Sequence, residues 1–248
     1  MPRYENARAA VIGGTSGMGL ATARLLLEEG ATVLVTGNSA GKAEAARVEL
    51  GENAIVIQSD ASELPAIEAL AKQIESRLGG LDALFFSAGI SRNASVPDTT
   101  EQIYDEVFNV NAKAAYFTLR RLAPLMRPGS GIVLATSVSD VKGLPNNSAY
   151  AASKAALRSM ARTFARELLP QGVRVNAVSP GPIDTGILDR SMPADAATAL
   201  KAQMTANNPM GRFGRPEEIA RAVAFLAFEA TFTTGAELAV DGGVSQLV

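Results

Sequence analysis

Short, almost continuously apolar runs alternate along the chain with longer stretches in which apolar positions recur every three to four residues. The runs at 9–12, 32–36, 54–58, 83–86, 131–136, 174–177 and 237–240 predict strands. Their lack of polar alternation is the mark of parallel strands covered on both faces. The stretches at 17–29, 42–50, 63–78, 103–126, 148–169 and 216–228 predict helices. Asp60 or Ser62 is placed to cap the third helix, ahead of an acidic first turn. Strand–helix alternation from end to end predicts one doubly wound α/β domain over residues 1–248, with seven parallel strands flanked by helices. The rhythm breaks only at 180–215, where prolines and glycines cluster. That segment predicts an irregular insertion whose apolar residues pack over something, with 183–215 as a substrate-binding loop or lid.

Composition narrows the chemistry. The chain has 248 residues, 47% of them hydrophobic and 19% charged, which fits a globular domain. Lys and Arg number 23 and Asp and Glu 25, for a net charge of −2. Nothing in this balance points to nucleic acid or to a membrane surface. No apolar stretch reaches the roughly 20 residues of a membrane helix. The start, MPRYENARAAVIGG, is too short in apolar residues for an export signal, so the cytoplasm is the expected location. There is no Cys and no His. Thiolate and imidazole nucleophiles, His general bases and Cys- or His-ligated metals are therefore excluded, and no metal is expected. Proton transfer falls to Tyr, Lys, Asp, Glu or Ser.

The first strand runs into Gly13-Gly14-Thr15-Ser16-Gly17-Met18-Gly19 and then a helix. Such a loop lets backbone amides approach a pyrophosphate at a helix N-terminus. The second strand ends in Thr36-Gly37-Asn38-Ser39, with no acid to select unphosphorylated ribose. Asn38, Ser39 and nearby Lys42 favour NADP(H), with NAD(H) as the alternative. Tyr150 and Lys154 lie one helical turn apart, so the ammonium is expected to lower the phenol pKa and make it a usable acid or base. Ser137, ending the fifth strand, is placed to pinch one oxygen together with Tyr150.

With these residues in place, the chain resembles a short-chain dehydrogenase/reductase over essentially its whole length, which implies a Rossmann-type domain. The resemblance rests on Gly13, Gly17 and Gly19, on Asp60, on Ser87-Ala88-Gly89 and on Asn111. It rests equally on Ser137, Tyr150 and Lys154, on the run Asn176 to Thr185, and on Asp241-Gly242-Gly243. It implies a catalytic tetrad of Asn111, Ser137, Tyr150 and Lys154. Tyr150 would exchange the proton, Ser137 polarise the carbonyl, Lys154 hold ribose and tune the phenol, and Asn111 hold a relay water. The cofactor would lie against Gly13, Thr15, Ser16, Gly17, Met18 and Gly19. Beyond that loop it would meet Asn38, Ser39, Asp60, Ala61, Ser87, Ala88, Gly89, Tyr150, Lys154, Pro180, Gly181, Ile183 and Thr185. Asp60 would bond the adenine amino group. Thr185 would either touch the nicotinamide or cap a loop helix.

Two features depart from the family: Ile12 where Thr is usual, and Phe86-Ser87 in place of paired Asn. The second is expected to loosen the nicotinamide side. Val138, Leu144, Ile187, Leu188 and Met192 are the expected substrate wall, suiting an apolar-flanked ketone or secondary alcohol. Arg92 and Arg190 are the candidates to meet an anionic group. A 3-oxoacyl-thioester reductase and a sugar dehydrogenase remain as alternatives on the same scaffold. A non-catalytic dinucleotide sensor is the alternative of another class. Enoyl reductases of the family space their Tyr and Lys more widely. The family implies a homotetramer built on the helices around Asn111 and Tyr150 and on the C-terminal end.

Overall fold

A computed structural model describes residues 2–247. Its strands are β1 (Arg8–Ile12), β2 (Thr32–Gly37), β3 (Ala54–Gln58), β4 (Leu81–Phe86), β5 (Met126–Ala135), β6 (Arg174–Pro180) and β7 (Glu237–Val240). They form one parallel sheet in the order β3-β2-β1-β4-β5-β6-β7. The order reverses between β1 and β4, so the two halves of the sheet part there and leave a crevice at the strands' carboxyl ends.

The helices are α1 (Gly17–Glu28), α2 (Ala40–Leu50), α3 (Leu64–Leu78), α4 (Glu101–Phe108), α5 (Ala114–Leu122) and α6 (Ser148–Leu168). They continue with α7 (Ile187–Ser191), α8 (Ala194–Ala206) and α9 (Pro216–Ala224). Successive strand residues point to opposite faces, and both faces are apolar. Ile12, Leu34, Leu84, Phe86, Ile132 and Leu134 pack on the side of α3, α5 and α6. Val11, Val33, Val35, Phe85 and Val133 pack on the side of α1 and α9. Among the described residues no helix is long and apolar enough to cross a membrane.

Three expectations change. The helix expected over 103–126 is broken by a π-helical turn, Asn109–Lys113, between α4 and α5. Its far end, Met126, already belongs to β5, where the register with β4 shifts between Leu81 and Ala83. The insertion after β6 is not irregular throughout, since it carries α7 and α8. Neither Asp60 nor Ser62 caps α3, whose N-cap is Glu63. Asp60 instead accepts bonds from the Ser62 amide (2.9 Å) and hydroxyl (2.7 Å), closing the turn before the helix.

Candidate active site

The carboxyl ends of β1, β4 and β5 bring the candidate residues together. Gly13 has φ +81°, and a Cβ there would lie 2.6 Å from the Ala88 amide nitrogen. The first turn can therefore press against the end of β4 only with glycine in place. At Gly17 (φ +55°), a Cβ would lie 3.2 Å from the Thr185 side chain, so the glycine loop and the insertion already touch. α1 opens at Ser16 with no side-chain cap and no acidic residue in its first turn. A helix start left with free amides and positive partial charge fits an anionic pyrophosphate. At the end of β2, the Ser39 hydroxyl caps α2 by accepting from the Lys42 amide (3.4 Å), while Asn38 is exposed. Ser87 continues the sheet, its amide donating to Ile12 O at 2.8 Å.

Ser137 leaves β5 in extended conformation and begins a single 3₁₀ turn, Val138–Asp140. Its Oγ accepts from the Ser139 amide and donates to the Ser139 hydroxyl, both at 3.2 Å. It also stands beside the Tyr150 phenol. Asn147 Nδ2 donates to the same Ser139 hydroxyl at 3.2 Å. Sequence reasoning missed Ser139. The signal was there in Ser137-Val138-Ser139, since a hydroxyl residue two places on readily closes such a turn.

Tyr150 and Lys154 stand on the first turns of α6. Lys154 Nζ lies 5.7 Å from the Tyr150 ring centroid and donates to Ala135 O at 2.8 Å. The expected lowering of the phenol pKa is not found. Burial pushes Tyr150 above its ordinary value of 10.0; the Ser137 hydrogen bond opposes the rise and the charge of Asp140 adds to it. Burial acts on Lys154 too and brings it down to about 8, against the pull of Asp140. Desolvation of the charged forms outweighs the ammonium's attraction for a phenolate.

Asn111 sits fully buried within the π-helical turn. Its Nδ2 donates to Ile90 O and to Ser153 Oγ, both at 2.9 Å, and its Oδ1 accepts from the Ile90 amide at 2.8 Å. Ser153 in turn donates to Tyr150 O at 2.7 Å. Asn111 thus ties the end of β4 to the helix that carries Tyr150 and Lys154. Both Asn111 Oδ1 and Lys154 Nζ lie 3.2 Å from where a Gly89 side chain would begin. Ser153, another residue missed from sequence, has its signal in its place between Tyr150 and Lys154.

The expected substrate wall is uneven. Val138 is buried, Leu188 and Met192 are half-buried, and Leu144 and Ile187 are exposed. Thr185 does not cap α7, whose N-cap is Gly186. The insertion is clipped at its base, where Gly214 N donates to Pro182 O and Asp184 N to Gly214 O, each at 2.9 Å. Pro180, Gly181 and Ile183 lie on the path from β6 into this clip. Arg92 is paired with Glu106 at 3.3 Å, and Arg190 donates to Thr185 O at 3.0 Å. Among the described residues no acidic cluster suited to a metal is present.

Comparison with known proteins agrees with this geometry. A family model described as enoyl-(acyl carrier protein) reductase matches residues 12–245. An oxidoreductase of Sarocladium schorii is 36% identical over 99% of this chain and 98% of its own length. A cis-4-hydroxycyclohexanecarboxylate dehydrogenase of Sinomonas cyclohexanicum is 37% identical over 95% of each chain. A 3-oxoacyl-[acyl-carrier-protein] reductase of Thermotoga maritima is 34% identical over 98% of this chain and 99% of its own. A solved structure of a provisionally assigned betaketoacyl-ACP reductase superposes with a TM-score of 0.86, at 38% identity, over 99% of this chain and 100% of the other. The seven-stranded parallel sheet, the glycine loop at its switch point and these full-length relatives together establish that the chain belongs to the short-chain dehydrogenase/reductase family, as an oxidoreductase acting on CH–OH and carbonyl groups.

Proposed function

We propose that the protein is an NADP(H)-dependent reductase of ketones, running in reverse on secondary alcohols, with Tyr150 as its proton donor. One observation carries the reading. Tyr150 stands beside Ser137 with Lys154 Nζ 5.7 Å from its ring, at the carboxyl end of the sheet beside the glycine loop. A phenol held above its ordinary pKa is protonated at neutral pH, the state a general acid needs. Ser137 and Tyr150 both donate to the substrate oxygen as negative charge builds on it. Lys154 supplies a fixed positive charge beneath that oxygen and a donor for the ribose. Asn111 holds the π-helical turn open beside Lys154, where a water relays protons from solvent. When bound, the dinucleotide supplies the hydride.

The NADP(H) preference is supported by the acid-free end of β2 and the N-terminus of α2 that follows it. Val138, Leu188 and Met192 suit a substrate with apolar flanks. A 3-oxoacyl-thioester reductase is the second reading, favoured by the names of the Thermotoga maritima relative and of the solved neighbour. Against it, Arg92 and Arg190 are already engaged and the net charge is −2, which leaves little to attract an acidic carrier. A homotetramer is supported by the exposed Tyr104 and Tyr116 on α4 and α5 and by exposed Leu238 on the edge strand β7.

The deciding experiment follows nicotinamide absorbance with NADPH and NADH against ketones, keto esters, 3-oxoacyl thioesters and sugars. Tyr150→Phe is expected to lower turnover at least a thousandfold while dinucleotide binding stays within about threefold. Near-native turnover in that variant would remove Tyr150 from the chemistry.

A further inference from the structure

The turn that follows Ser137 carries a carboxyl group that the proposed mechanism does not use. Asp140 N donates to Ser137 O at 3.0 Å, which closes the turn. The Asp140 side chain points inward, both of its oxygens are shut off from solvent, and neither meets an ordinary donor. What faces them is the carboxyl of Glu237 on β7. Glu237 has partners of its own: the Thr136 hydroxyl donates to Oε1 at 2.7 Å, and Arg158 Nε stands 2.8 Å from Oε2. Two neighbouring carboxylates with no donor between them repel, and one proton shared between them turns repulsion into a hydrogen bond. Burial, with the carboxyl of Glu237 adding to it, puts the proton on Asp140.

We propose that Asp140 is a positioning residue of the catalytic centre, sharing one proton with Glu237 so as to fasten the turn after Ser137 to β7 and to set the charge beneath Tyr150 and Lys154. The link to Tyr150 and Lys154 rests on the oxidoreductase reading; the shared proton does not. The charged and titratable groups within electrostatic reach of Asp140 are Glu237 from β7 and Arg158, Tyr150 and Lys154 from α6. Burial raises the Asp140 carboxyl to about 6, the charge and hydrogen bond of Glu237 add to the rise, and Arg158 opposes it. Once ionised, Asp140 pushes both Tyr150 and Lys154 upward. Acid therefore welds the turn to the sheet edge, and neutral pH puts an anion under the lysine.

Asp140→Asn tests both halves, since the amide fills the same space and donates permanently to Glu237. The first measurement is thermal unfolding of the ligand-free protein across acidic and neutral pH. The folded carboxyl holds its proton above the ordinary value of 3.8, so wild-type stability is fully present below about 4 and is lost as pH rises toward about 6. The wild-type melting temperature is expected to fall relative to Asp140→Asn over that window, and parallel curves would overturn the shared proton. Glu237→Gln is expected to flatten the same window, and serves if the first variant folds poorly. The second measurement is the pH profile of carbonyl reduction. Removing the anion is expected to move the alkaline limb toward lower pH by roughly half a unit. An unmoved or alkaline-shifted limb would sink the positioning role, because a merely structural loss lowers the rate without moving the limb. If the wild type turns over no carbonyl compound at all, the oxidoreductase reading fails alone, and the unfolding curves still decide the proton.

Discussion

Lys154 is 4% exposed and donates to the carbonyl of Ala135. Burial brings its pKa to about 8, so it is charged at neutral pH at a cost to the fold. Carbonyl reduction is therefore expected to hold level below about pH 8 and to decline above it as the ammonium is lost, provided chemistry limits the rate. A profile flat to pH 10 in steady-state assays would contradict this. The same residue yields a stability test. Its folded pKa lies below the ordinary 10.5, so the unfolded chain keeps a proton that the folded chain sheds. Wild-type stability thus rises between about pH 8 and 10.5. Lys154→Met is expected to abolish turnover yet stabilise the ligand-free fold by about 1–2 kcal/mol at pH 7, the gain shrinking as pH rises. A destabilised variant in urea titrations at pH 7 would show that the Ala135 bond outweighs the buried charge. Ile12 and Phe86 make a different point. They are register partners across β1 and β4, and both are fully buried. The two departures from the family therefore form one apolar contact.

At the scale of elements, the buried guanidinium of Arg174 on β6 holds the end of α9 and the π-helical turn Phe225–Glu229 that extends it. Its Nη1 donates to Leu226 O at 2.6 Å and Ala230 O at 3.1 Å, and its Nη2 to Ala227 O at 2.6 Å. A cation at a helix C-terminus satisfies carbonyls that otherwise have no donor. Arg174→Met is expected to cost about 3 kcal/mol, read as a shift in the urea midpoint, because several buried acceptors lose their partner together. A loss below about 1 kcal/mol would mean that water replaces the guanidinium. The strands were legible because apolar runs between glycine-rich turns admit few other readings, and the glycine loop, Ser137, Tyr150 and Lys154 were legible because each sits at an element's end. The break at Asn109–Lys113 was not, since a π-helical turn adds a residue without interrupting the apolar stripe of α4 and α5. The early start of β5 was hidden by Pro128 and Gly129 (φ +88°), which read as a turn although the chain still pairs at Met126. α8 was hidden because it buries only Ala197 and so shows no apolar stripe. The Asp140–Glu237 contact was illegible in principle, because it joins residues nearly a hundred positions apart on separate strands' ends.

For the whole molecule, the insertion 183–215 is held to the core mainly at its ends. α8 rests on one buried alanine, and Lys201 ties it to Asp184 at 3.6 Å and Asp189 at 2.6 Å through exposed ion pairs of small worth. Its base is firmer. Gly214 clips to Pro182 and Asp184, and Glu218 bonds both Arg212 and the Arg215 amide, which holds its carboxyl at about 2. A weakly packed flap on a fixed hinge opens at low cost, and it meets the glycine loop where Thr185 lies over Gly17. A dinucleotide seated on the glycine loop would meet Thr185 and add contacts to the closed flap, and so would lower the open population in proportion to its saturation. Limited trypsin digestion is accordingly expected to cut first after Arg190 or Lys201 in the ligand-free protein, and at least tenfold more slowly with saturating NADPH. Thr185→Gly removes the contact and is expected to erase most of that protection while leaving the global melting temperature within about 2 °C. First cleavage outside 183–215, or a rate indifferent to the dinucleotide, would show that the insertion is not coupled to the cofactor loop.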